Sequence, residues 1–171
     1  MRKLLMMKLV GLLLVGSAAG QSASKIQDFA RAIAKAEGFY QKGTIPNRYS
    51  NPGDLKARSG EKYPGQRGVG RGGHVIFRTN EDGWAALTHQ IEKAVSGDSR
   101  FYNPSMTFRQ VAKKYAGNYQ VWLKNVTGML GVDADDTIYD YFNLSRMNLV
   151  ADDTAPVFDE NFNLLAFGGQ F

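Results

Sequence analysis

Residues 39–78 constrain the fold most. Pro46, Pro52 and Pro64, together with the glycines scattered between 43 and 73, deny this stretch any long helix. The segments on either side carry apolar residues at helical spacing. The chain is therefore expected to be a helical domain with a loop-and-hairpin insert after its first helix. Within the insert, "HVIFRT" from His74 to Thr79 reads as a strand, and "GDLKA" from Gly53 to Ala57 as a short hairpin partner. The expected fold class is α+β, mainly helical.

The first helix is read from "SASKIQDFARAIAKAEG". Ser24 with Gln27 three residues on forms a capping-box start, and Gly38 is the stop. A second helix starts at Thr79, carries Glu81 and Asp82 in its first turn, turns Trp84, Leu87 and Ile91 inward, and ends at Gly97. A third opens with the Thr107 and Gln110 capping box and carries Phe108, Val111 and Tyr115. The fourth spans about 118–130 and stops at Gly131, and a short fifth holds Ile138, Tyr141 and Phe142. Trp84 and Trp122 lie on apolar helix faces and read as core residues.

The opening "MRKLLMMKLVGLLLVGSAAG" places Arg2, Lys3 and Lys8 ahead of the apolar run Leu9 to Val15, followed by small residues. It reads as a signal peptide over 1–20, its apolar run too short to span a bilayer. The domain is expected over 21–150, with an acidic, aromatic tail over 151–171. Removing the leader takes away three cations and no acid, so the net charge falls from +5 to +2. A mature chain so nearly balanced argues against nucleic acid as partner, and an exported protein with no stable membrane span is expected. The chain has no Cys, which excludes disulfides, thiol catalysis and cysteine zinc sites. His74 and His89 lack metal-ligand spacing, and "DADD" at 133–136 lacks the Gly and closing Glu of a calcium loop, so no metal or cofactor is expected.

One acid stands out. Glu37 lies about 20° round the first helix from Ile26 and about 40° from Ile33, so it projects from the apolar stripe. It also closes the helix, where unpaired carbonyls disfavour a carboxylate by about 0.3–1 kcal/mol when exposed. Both effects push its pKa upward, toward what a general acid near neutral pH requires.

The company Glu37 keeps is suggestive. "EGFY", a Pro, "RYSNPGDL" and a strand running into "FRTNEDGWAAL" occur in order over about residues 25–138. This series resembles the lysozyme-like domain of goose-type lysozymes and lytic transglycosylases, in a bacterial and phage branch whose loops read NNPGN or NNPGD. The resemblance implies a two-lobed lysozyme-like domain with a small hairpin lobe. It also implies cleavage of the peptidoglycan glycan strand between N-acetylmuramic acid and N-acetylglucosamine, without cofactor, with Glu37 as proton donor.

Hydrolysis by two carboxylates needs a second acid, for which Asp54, Glu61, Glu81 and Asp82 are the candidates. Glu81 and Asp82 suit a helix start and Asp54 a turn, so the single-acid route of the transglycosylases is preferred, with the muramoyl 6-hydroxyl attacking to give a 1,6-anhydro product. Asn51 offers an amide suited to an N-acetyl group, and Tyr49 a ring to stack on a sugar; each is equally a plain turn residue. Tyr115 resembles the tyrosine that hydrogen-bonds the catalytic Glu in transglycosylases, though a core aromatic reads nearly as well. The chain departs from the family pattern at Gly38, where the larger group has Ser, and at Ser50, where the closer branch has Asn. A rival reading is a lysozyme-like module that binds glycan or a partner without turnover.

Overall fold

The computed structural model describes the backbone of residues 18–60 and 62–142, with side chains from Ser22, and the backbone of Val157–Phe158 and Leu164–Ala166. Among the described residues the structure is mixed α/β, about 53% helical, and the strands pair as antiparallel hairpins, which is the α+β arrangement.

The first helix, α1 (Ala18–Ala36), runs through the middle of the helical body. Phe29 and Ile33 are buried as the apolar stripe requires, and Ala30, Ala32 and Ala34 are buried as well. These small side chains let neighbours close on more than one face of the helix, while Phe29 meets Phe108 edge-on at 5.5 Å. The start differs from expectation. The helix is continuous from Ala18, so Ser24 lies inside it and does not cap it. It also runs across the expected cleavage point after Gly20; the rest of the expected leader lies outside the described residues.

After α1 comes the one-turn helix α2 (Ile45–Arg48), whose Thr44 side chain accepts from Asn47 N at 3.3 Å. The hairpin that follows pairs β1 (Gln66–Val69) with β2 (Val75–Phe77). "HVIFRT" does contain a strand, but its main partner is β1, a Gly-containing segment with no alternating apolar signal. "GDLKA" also joins the edge of β2, where Val75 N donates to Leu55 O at 2.8 Å and Ala57 N to Gly73 O at 2.9 Å. Leu55, Val75, Phe77 and Ala86 form the small core that fastens this lobe to the next helix.

The remaining helices follow their sequence signals closely. In α3 (Asn80–Ser96), Thr79 caps the start and Gly97, at φ 85°, ends it in the left-handed conformation. α4 (Phe108–Tyr115) opens with the reciprocal Thr107 and Gln110 capping box. α5 (Tyr119–Leu130) ends at Gly131, and α6 (Ile138–Phe142) follows the Asp133–Asp136 turn. In the stretch expected as an acidic, aromatic tail, β3 (Val157–Phe158) and β4 (Leu164–Ala166) pair antiparallel.

Ser50 adopts φ 51°, in the left-handed region where Asn is at home and Ser is not. Ser50→Asn is therefore expected to stabilise the fold by about 0.5 kcal/mol, read as a higher urea midpoint. An unchanged or lower midpoint would mean that the loop is not strained there.

Candidate functional site

Glu37 occupies its position because of how α1 ends. Phe39 N donates to Ala34 O at 2.9 Å and Gly38 N to Lys35 O at 3.1 Å, with Gly38 at φ 77°. This is a Schellman closure, and it makes Glu37 the last residue of the helix frame. Glycine at 38 thus has a local cause: the closure needs a left-handed residue.

The Glu37 carboxyl faces a groove of about 520 Å³ between the helical body and the hairpin lobe. Tyr115 and Trp122 wall it on the helical side, and Asp54, Lys56 and His74 on the other. Burial pushes the Glu37 pKa up from 4.5 to about 7; the charge of Asp54 adds to the rise, and the Trp122 indole opposes it. Trp122 Nε1 is buried and has no partner of regular hydrogen-bond geometry among the described residues. Its effect on the carboxylate is that of a nearby N–H dipole, weaker than a formed bond.

Asp54 was set aside on sequence grounds, as Glu81 and Asp82 were, because Asp suits turns. It does sit in a turn, at φ 48°, and that backbone conformation aims its side chain into the groove. Its Oδ1 lies 2.8 Å from His74 Nδ1, which also lies 3.2 Å from the Asp54 backbone carbonyl. Nδ1 has one proton to share between them. Oδ1 lacks regular hydrogen-bond geometry, so the ring acts on it chiefly through proximity. Burial raises the Asp54 pKa, opposed by His74 and Lys56.

The other acids stand apart. Glu81 is fully exposed at the start of α3, its pKa lowered by its own backbone amide and by Thr79. Asp82 packs against Gly65 and lies 4.0 Å from Arg78. Neither lines the groove, and Glu61 lies outside the described residues. Of the four candidate second acids, Asp54 alone among the described residues lines the same cavity as Glu37, and its charge adds to the rise of the Glu37 pKa.

The expected binding residues divide. Tyr115 lines the groove and stacks on Trp122 at 5.0 Å. Its hydroxyl donates to Gly53 O, so the bond to Glu37 implied by the resemblance is absent. Burial and the Glu37 charge hold that hydroxyl well above its ordinary pKa, so it stays a donor. Asn51 is completely buried. Its Nδ2 donates to Leu55 O and Val75 O at 2.9 and 3.0 Å, and its Oδ1 accepts from Leu55 N at 2.8 Å. With its amide spent on the loop, Asn51 is a strut that ties "NPGDL" to β2, outside the groove. Tyr49 is also outside it; its ring fills the space over Gly70 and its hydroxyl accepts from Arg71 N at 3.2 Å.

Sequence reasoning passed over Trp122 and His74 as site residues. Trp122 carried a signal for burial alone, and the juxtaposition of His74 with Asp54 depends on the hairpin register. Among the described residues no group of three or more His, Cys, Asp or Glu is placed to hold a metal ion, and no helix is long and apolar enough to cross a membrane. Comparison with protein-family models, with curated proteins and with solved structures finds no match to this chain.

Proposed function

We propose that this chain is an exported, lysozyme-like enzyme that cleaves the glycan strands of peptidoglycan, with Glu37 as general acid. The observation that carries the reading is a carboxyl with a pKa of about 7, facing a groove that also holds a second carboxylate. At neutral pH about half of Glu37 keeps its proton, which it donates to the glycosidic oxygen as the bond to C1 breaks. The emerging positive charge on the sugar then lies in the same cavity as Asp54, which stabilises it and takes the proton of an attacking water. Tyr115 and Trp122 offer apolar ring surface to the sugars. On this scheme the products carry reducing ends.

The test is digestion of purified murein sacculi followed by mass spectrometry. Wild type is expected to release reducing-end muropeptides, and Asp54→Asn to lower the rate by about 10²-fold with the fold retained. Anhydro ends, at a rate insensitive to Asp54→Asn, would return the chemistry to the single-acid route. Intact sacculi after wild-type treatment would overturn the enzymatic reading.

A further inference from the structure

Trp122, in α5, is only 3% exposed, yet its Nε1 finds no hydrogen-bond partner among the described residues. An indole nitrogen donates and cannot accept, and a donor buried without an acceptor is costly enough to call for a cause. The ring has little freedom to turn elsewhere. Tyr115 stacks on it at 5.0 Å with 29° between the planes, and the Tyr115 hydroxyl is itself fixed to Gly53 O. That bond also engages the Gly53 carbonyl, another acceptor in the wall of the groove.

The acceptor that Nε1 faces is the Glu37 carboxyl, whose ionised form the indole favours while burial opposes it. A neutral carboxyl accepts weakly. A carboxylate accepts strongly, and hydrogen bonds to an ionised acceptor are shorter and about twice as strong. An N–H held beside a protonated acid, out of regular geometry, therefore has a bond to gain when the acid ionises. The other groups facing Glu37 do not supply one. The insert presents Asp54, Lys56, Arg58, Tyr63 and His74, the α3–α4 loop Tyr102, and α4 Tyr115, while α3 and α5 line the groove with no titratable side chain. Of these, Asp54 acts on Glu37 by repulsion, Lys56 and His74 act on Asp54, and Arg58 Nη2 donates to Gln90 Oε1 at 2.8 Å.

We propose that Trp122 is the positioning residue of Glu37: its indole N–H closes a hydrogen bond to the carboxylate once the carboxyl proton has left, and Tyr115 serves that bond from behind, as the ring that holds the indole in place. The tyrosine to which the resemblance assigns the bond thus acts through its neighbour. The inference has two parts. The hydrogen bond stands on the geometry of α1, α4 and α5; its catalytic use rests on the glycan-cleaving reading of the groove, in which the bond stabilises the Glu37 carboxylate left by proton transfer to the glycosidic oxygen.

The test needs no substrate. The chain has two tryptophans, so the Trp122 indole N–H resonance is assigned by its loss in Trp122→Phe. In wild type it is expected to move downfield as pH rises through about 7, in step with the Glu37 carboxyl carbon; the movement is lost in Glu37→Gln and kept in His74→Gln. An indole resonance that ignores Glu37 would overturn the inference, and this readout holds even if Trp122→Phe fails to fold. Where that variant folds, the sign of its effect decides. Loss of a donor raises the Glu37 midpoint, by about one pH unit, whereas loss of a merely apolar cover admits water and lowers it. A lowered or unchanged midpoint would overturn the inference. Tyr115→Phe, which keeps the ring, is expected to leave the midpoint within about 0.3 pH units, and a rise like that of Trp122→Phe would return the bond to Tyr115. On sacculi, the alkaline fall in the rate of Trp122→Phe is expected to shift upward with the midpoint. Uncut sacculi, or a fall that stays put while the midpoint moves, would sink the role of Glu37 as general acid and leave the hydrogen bond standing.

Discussion

Glu37→Gln is expected to lower the rate of glycan cleavage by about 10²- to 10⁴-fold, the usual worth of a positioned proton donor, and to make the protein more stable above pH 7. The two effects share one cause. Burial raises the folded-state pKa of Glu37 from 4.5 to about 7, so between those values the folded chain binds more protons than the unfolded chain. Stability therefore declines as pH rises through that window, by about 3 kcal/mol in all, because above it a half-buried charge must be tolerated. Gln, isosteric and neutral, removes that cost. Urea unfolding at pH 4, 5.5, 7 and 8.5 should show the two proteins diverging across the window, with Glu37→Gln the more stable at the alkaline end. Asp54 changes stability with pH in the same sense, its pKa also being raised, so the variant flattens the profile only in part. Wild-type activity should fall above about pH 7 as the donor loses its proton. Parallel stability profiles would mean that Glu37 is solvated in solution, and the site would lose its acid.

Gly83→Ala is expected to destabilise the fold by about 3 kcal/mol. Gly83 sits in the first turn of α3, where a methyl group would overlap the carbonyl oxygen of Ser50 and come within 2.8 Å of Pro52 Cδ. The first of these atoms is backbone and the second belongs to a rigid ring, so relief requires the helix to move off the loop. That loop carries the buried Asn51 network and, next to it, Asp54. Displacement should therefore damage the groove as well as the global stability. Gly128, exposed on α5 with open space around it, supplies the contrast. There Gly128→Ala is expected to stabilise by about 0.5–1 kcal/mol through helix propensity. Denaturation midpoints of the two variants should move in opposite directions, and a tolerated Gly83→Ala would mean that the helix and loop are not in close contact.

Much of the helical frame was legible because its signals are local. The Thr79, Thr107, Gly97 and Gly131 boundaries are capping chemistry, settled within one turn of chain. The same rule misled at Ser24, where a capping box is also an ordinary helix interior and nothing local tells the two apart. β1 escaped notice because Gln66–Val69 lacks an alternating pattern and is held by its partner strand.

For the site, the amino-acid sequence alone determined that an acid ends the first helix on its apolar side, and that no thiol or disulfide contributes. Helical period and turn chemistry are short-range, so they can be read without knowing the rest of the molecule. Only the tertiary structure decided that Asp54 shares the cavity, that His74 stands against it, and that Asn51 turns inward while Tyr115 bonds to Gly53. These depend on contacts between segments far apart in the chain, which local pattern does not encode.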